Sequence, residues 1–192
     1  MRHPLRSEFL EASPVKTREK RAAFVGSLVG RKGAPDGVRA FLQTAPNDWM
    51  FDVVGGGELL TSLQTKVAQS GRNNVRFHGV LEVNKLLEVL AAASVFLLPT
   101  YVDTGPTALK EAIALGLWPI CYDNSGPAEL LRRYEVGSLV KTGDIAMLAS
   151  TVSDVLGAFG EDSAHRIDVA SKAIRRDLHP NAIWPRLLEL YR

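Results

Sequence analysis

The stretch Val95-Phe96-Leu97-Leu98-Pro99-Thr100-Tyr101-Val102-Asp103-Thr104-Gly105-Pro106-Thr107-Ala108-Leu109-Lys110-Glu111-Ala112 changes character midway. Four apolar residues stop at a proline, a loop with glycine and a second proline follows, and a helical pattern starts near Thr107. This predicts a strand over Val95 to Leu98, a loop carrying Asp103, and a helix with Glu111 about one turn inside it. Such a turn aims unpaired amides at solvent, and the positive end of the helix dipole adds to them. Together they suit a phosphate, and a carboxylate one turn along suits sugar hydroxyls. The expected ligand is a phosphorylated sugar or nucleotide. The plainer alternative is a loop acid and a solvated helix acid beside Lys110, and the rest of the chain bears on the choice.

Outward from this stretch the same alternation recurs. Short apolar runs at Ala22 to Gly26, Met50 to Val54, Val75 to Phe77, Pro119 to Tyr122 and Ser138 to Val140 read as further strands. Segments of helical period separate them, over Pro35 to Thr44, Glu58 to Ser70, Glu82 to Ala93, Thr107 to Leu115, Pro127 to Tyr134 and Asp144 to Phe159. Two more, Glu161 to Asp177 and Asn181 to Tyr191, follow. This order predicts an α/β fold, a single doubly wound Rossmann-like domain with a parallel sheet of about six strands. Asp144 reads as an N-cap, and Gly71 and Gly116 stand where helix ends want a positive φ. In such sheets ligands bind outside the carboxyl ends of the strands. Gly26, Gly55 to Gly57, Gly79, Gly105 and Gly126 all fall there.

Size and composition narrow the classes. The 192 residues, 46% hydrophobic, suffice for one core and are short for two domains. The formal charge of +2 gives no footprint for nucleic acid. Residues 1–21 read as a polar lead-in or linker outside the core. Its cations, Arg2, Arg6, Lys16, Arg18, Lys20 and Arg21, suit a solvated arm, with an anionic membrane surface as the alternative partner. The single Cys121 sits in an apolar run, so no intrachain disulfide forms and a buried thiol in a reducing cytoplasm is expected. No apolar run is long enough to span a bilayer, and no signal-peptide core follows the basic start.

Three further turns carry chemistry. Phe24-Val25-Gly26-Ser27-Leu28-Val29-Gly30-Arg31-Lys32-Gly33 is a strand running into a glycine turn with two cations, either a phosphate site or a surface turn. Val53-Val54-Gly55-Gly56-Gly57-Glu58 lacks the G-x-G-x-x-G spacing and sits on the second strand, which argues against a nicotinamide cofactor. His78 could be a base, a metal ligand or a loop residue touching a nucleobase. With His3, His165 and His179 scattered, no metal set is expected, and a binding-loop role is favoured.

Taken in order, these blocks resemble the C-terminal, nucleotide-sugar-binding half of GT-B fold glycosyltransferases of retaining family 4 (group 1). The resemblance runs from about Phe24 to Leu156. It rests on Gly26, Leu28, Lys32 and Gly33, on Val54 to Gly57, and on Val75, Phe77 and Gly79. The acidic pair Asp103 and Glu111 follows, with Ala112, Gly116 and Pro119 behind it, and then Gly126 and Glu129.

The resemblance implies a donor site of Gly26, Ser27, Arg31, Lys32, His78, Thr104, Gly105, Thr107, Ala108 and Glu111. Within it, cations and helix amides hold the diphosphate and Glu111 holds the ribose. Asp103 would contact the donor sugar in a catalytic role. The donor would be a UDP-, GDP- or ADP-linked sugar, with no metal or other cofactor required. Residues 22–178 would form the nucleotide-sugar-binding domain, and residues 179–192 a last helix packing toward an N-terminal acceptor domain. Trp184, Leu187, Leu188 and Tyr191 would lie exposed where that partner is missing, a face for self-association. Ser27 replaces an arginine, Asp103 a glutamate, and Pro106 a glycine whose N–H proline cannot supply. These departures leave a non-catalytic binding or partner module as the alternative. The implied location is cytoplasmic, at or away from the membrane face.

Overall fold

Apolar runs of four or five residues, separated by helices too long to be hairpin turns, have one economical arrangement: a parallel sheet covered by those helices. The computed structural model describes residues 3–12, 19–158 and 161–189, except for the side chains of 161, 162 and 186–189. The strands are β1 (Arg21–Val25), β2 (Met50–Val54), β3 (Val75–Gly79), β4 (Val95–Leu98), β5 (Trp118–Tyr122) and β6 (Ser138–Val140). They pair in the order β3-β2-β1-β4-β5-β6, every pairing parallel. Between and after them run α2 (Ala34–Thr44), α3 (Leu60–Gln69), α4 (Val83–Ala92), α5 (Thr107–Leu115), α6 (Ser125–Arg133), α7 (Ile145–Gly157), α8 (Glu161–Asp177) and α9 (Pro180–Glu189). The predicted α/β fold with six parallel strands is the one observed.

The core follows from the strand composition. β4 and β5 are buried at every position, as continuous apolar runs in the middle of such a sheet must be. The Phe41 ring of α2 stacks on Phe51 of β2 with centroids 4.9 Å apart. Helix pairs α2–α7 and α5–α8 pack against each other. Asp144 caps α7, its side chain accepting from the Met147 amide, and Gly71 and Gly116 adopt the expected positive φ. β1 has β2 on one side and β4 on the other, so the winding direction reverses there and opens a crevice at the carboxyl ends of these strands.

The start of the chain departs from expectation. Instead of lying outside the core, residues 7–11 form a short helix, α1 (Ser7–Glu11), and Leu5 and Phe9 are buried. Leu5 precedes this helix and Phe9 lies within it, and both side chains join the core. The Leu5 amide donates to the Leu178 carbonyl at 3.0 Å, and Arg175 Nη1 donates to the Leu10 carbonyl at 2.9 Å. Nor are the described cations of this segment a free arm: Arg6 pairs with Glu111, Lys20 with Asp48, and Arg21 with Asp52. Arg2, Lys16 and Arg18 lie outside the described residues. At the other end Ile183 is buried while Trp184 is 53% exposed, and the side chains of Leu187, Leu188 and Tyr191 lie outside the described residues.

Candidate functional site

The carboxyl edge of the sheet is held by backbone bonds between loops. Beyond β1, the Gly26 amide donates to Val54 O and the Leu28 amide to Gly56 O, while Gly55 donates to Gly79 O. The chain then makes a single 3-10 turn over Gly30–Lys32 and leaves it through Gly33 in the left-handed region. Arg31 O accepts from the Tyr101 amide at 2.9 Å and from Thr100 Oγ1 at 3.1 Å, tying this cationic turn to the loop after β4. That loop is pinned on its far side by the Gly126 amide, which donates to Asp103 O.

Seven of the predicted residues meet here. Gly26, Ser27, Lys32, Asp103, Gly105, Thr107 and Ala108 line one cavity of about 280 Å³, together with Val25, Leu98 and Pro106. Lys32 Nζ lies 2.5 Å from Asp103 Oδ2, and Asp103 Oδ1 accepts from the Gly105 amide at 3.1 Å. Thus the loop acid is oriented by its own turn and neutralised by the lysine of another turn. The first turn of α5 faces the same cavity, and no side chain caps that helix. Its leading amides add positive potential beside Lys32. The cavity therefore offers a cation, helix amides and a carboxylate to a ligand carrying both anionic and hydroxyl groups.

The other four predicted residues are placed differently. Thr104 lines a neighbouring depression with Lys110, Glu129 and Arg133, and the Arg31 side chain is exposed outside the cavity. His78 is engaged at 2.7 Å through Nε2 with Asp52, a fully buried acid on β2 that also accepts from Arg21 Nη1 at 2.7 Å. Glu111 is 1% exposed and does not line the cavity. Both its oxygens are held by Arg6, Oε1 by Nε at 2.7 Å and Oε2 by Nη2 at 2.9 Å. Burial pushes this carboxyl above its ordinary value, against the lowering effect of Arg6.

Several participants escaped sequence reasoning. Asp36, in the first turn of α2, accepts from Tyr101 OH at 2.6 Å and Tyr122 OH at 2.8 Å through one oxygen. The acid raises the Tyr101 phenol, and burial with the same acid raises Tyr122. This cluster braces the loop that carries Asp103. An acid at the start of a helix is a weak cue, and nothing local connects it to tyrosines far along the chain. A larger open depression of about 760 Å³ lies between α1 and the junction of α8 with α9, away from the strand ends and the residues above. Among the described residues no three His, Cys, Asp or Glu side chains gather as a metal set, and no helix is long and apolar enough to cross a membrane.

Comparison with known proteins gives this edge a context. Residues 6–172 match the family model of glycosyl transferases group 1. The chain is 30% identical over 135 residues to an exopolysaccharide phosphotransferase of Streptomyces coelicolor, covering 68% of this chain and 14% of that protein. It is 25% identical over 176 residues to 2-deoxystreptamine N-acetyl-D-glucosaminyltransferase of Niallia circulans, covering 90% and 45%. The chain thus spans less than half the length of these relatives. Its fold is similar to that of Anabaena HepE, crystallised with UDP and glucose, with a TM-score of 0.80 at 17% identity over 91% of this chain and 48% of that one. With most of its length inside the family model, this chain belongs to the glycosyl transferases group 1 family.

Proposed function

We propose that this chain is the donor-binding, C-terminal half of a retaining GT-B glycosyltransferase of family 4. One observation carries the reading: Lys32, Asp103 and the uncapped start of α5 converge on one cavity at the crevice where the sheet reverses its winding. Lys32 and the α5 amides would hold the diphosphate of a UDP-, GDP- or ADP-linked sugar. In this reading Asp103 exchanges Lys32 for a sugar hydroxyl, and Glu111 serves the ribose. Transfer with retention would break the bond from C1 to the diphosphate oxygen and form a bond from C1 to the acceptor oxygen on the same face. The acceptor proton would pass to the departing phosphate, and no metal is needed in this scheme.

The acceptor would be held by an N-terminal domain, which the length of the relatives supports. Without it the chain would transfer sugar slowly or not at all. Trp184 would belong to the face toward that domain, and without the domain this face would favour self-association. The proposed location is the cytoplasm, with peripheral membrane association as an option.

A second reading, a non-catalytic nucleotide-sugar-binding module, draws support from Ser27, which brings no cation, and from Pro106, which brings no N–H to the start of α5. Calorimetric titration with UDP, GDP, ADP and their sugar conjugates tests the donor site. Micromolar to millimolar binding of one nucleotide is expected, on the order of 4 to 8 kcal/mol, weakened at least roughly tenfold by Lys32→Ala. Binding unaffected by Lys32→Ala would refute this placement of the diphosphate. Acceptor-dependent transfer, assayed with the chain joined to its acceptor domain, separates enzyme from module.

A further inference from the structure

We infer that Arg6 is an internal competitor for the ribose at Glu111, so that its side chain acts as a latch on the donor site; the inference rests on the donor-site reading above. The Arg6 guanidinium presents two parallel N–H donors to the two Glu111 oxygens, at 2.7 and 2.9 Å. A ribose 2′,3′-diol presents two O–H donors at comparable spacing, so fork and diol fit the same edge of the carboxylate and exclude one another. Held in this way Glu111 is 1% exposed, and neither it nor Arg6 lines the cavity that holds Lys32 and Asp103.

The two partners differ in where they can go. Glu111 lies on α5 at 1% exposure and has no route to water, whereas the Arg6 side chain is 41% exposed. Leu5 and Phe9 anchor the segment, and the Arg6 guanidinium stacks 4.8 Å from the Phe9 ring centroid. Rotation of the Arg6 side chain therefore opens the latch with α1 still docked. Burial already weighs against the charged form of Glu111, so an unpartnered intermediate is costly. Hydroxyls must replace the guanidinium as it leaves. Occupancy of the ribose site is thereby tied to the placement of residues 5–9, which precede β1.

The test uses the chain itself, Arg6→Met to keep the aliphatic stem, and Lys32→Ala. Each is titrated with UDP, GDP and ADP and with their 2′-deoxy counterparts. Arg6→Met should bind the preferred ribonucleotide roughly tenfold more tightly, about 1.4 kcal/mol. Its preference for ribo over deoxy should also exceed that of the unaltered chain, a change that loss of a structural ion pair would not produce. In the unaltered chain, the Arg6 Nε–H proton should exchange slowly with solvent and faster at saturating nucleotide. This measurement decides the matter even where Arg6→Met fails to fold. Unchanged or weaker ribonucleotide binding by folded Arg6→Met, or an Nε–H that stays protected, overturns the latch alone if binding still depends on Lys32. Absence of binding by every protein overturns both the latch and the donor site.

Discussion

Gly33 is the point at which the cationic turn touches the loop after β4. Its φ is +72°, and a Cβ added there would stand 1.8 Å from Pro99 O and 2.5 Å from Pro99 C. Both atoms are backbone, so no side chain can swing aside. Relieving the overlap in Gly33→Ala requires the two loops to part by more than about 1 Å in a densely packed region. The positive φ costs an alanine about 1 kcal/mol, and forcing packed backbones apart adds about 1 to 3 kcal/mol. The expected loss is roughly 2 to 4 kcal/mol, which lowers Tm by roughly 5 to 15 °C in a domain of this size.

The same movement would stretch the bonds from Tyr101 and Thr100 to Arg31 O and separate Lys32 from Asp103. Displacement of this order costs positioned chemistry on the order of a hundredfold, so nucleotide affinity should fall with stability. Gly30→Ala is the matched control. Gly30 opens the same turn, its φ is not positive, and a Cβ there meets nothing within 4 Å. Denaturant unfolding of both variants gives the comparison. If Gly33→Ala falls within about 0.5 kcal/mol of Gly30→Ala, the argument from close backbone approach is wrong.

Asp36→Ala strips two phenols of their shared acceptor. It should lower stability by about 1 to 3 kcal/mol and weaken nucleotide binding several-fold, whereas Tyr101→Phe alone should do less; equal effects would speak against a shared brace. Because the Glu111 carboxyl sits above its ordinary value when folded, it favours folding at pH below its unfolded value, and that contribution is lost as pH rises through the folded one. The stability of the unaltered chain minus that of Glu111→Gln should therefore fall as pH rises above the ordinary carboxylate range, and a rise would contradict the dominance of burial. Cys121 is fully buried with its thiol pushed up; a disulfide-exchange reagent should label it only after unfolding, and rapid native labelling would show an opening at β5.

The sheet was legible because its strands are short, apolar and bounded by glycine and proline, and every helix between them is long enough to show its period. The segment Ser7–Glu11 is too short for a period to emerge from its polar surroundings, and Leu5 and Phe9 look like isolated apolar residues until α5 and α8 are beside them. The cavity could be assembled from Lys32, Asp103 and the start of α5 because each lies on a recognisable strand-to-helix turn. The ion pairing that fills the site could not. Arg6 and Glu111 are 105 residues apart, and Lys32 and Asp103 are 71 apart. Both acids read as ligand contacts, yet each finds an internal cation. One signal was available and unused: Asp52 interrupts the apolar strand Met50-Phe51-Asp52-Val53-Val54, and a carboxylate in a buried strand requires a partner. His78 and Arg21 are those partners.

The strand order also bears on how the chain is made. β1 is synthesised before the other five strands of its sheet, yet Ala22 and Ala23 wait for Val95 and Phe96 to cover one of their two sides. During that interval β2 and β3 can join the other side, leaving a central strand, apolar from Ala22 to Val25, with an open row of amides and carbonyls. A ribosome pause before β4 emerges would prolong that exposure. Truncation upstream of Val95 would make it permanent, giving fragments that associate through β1.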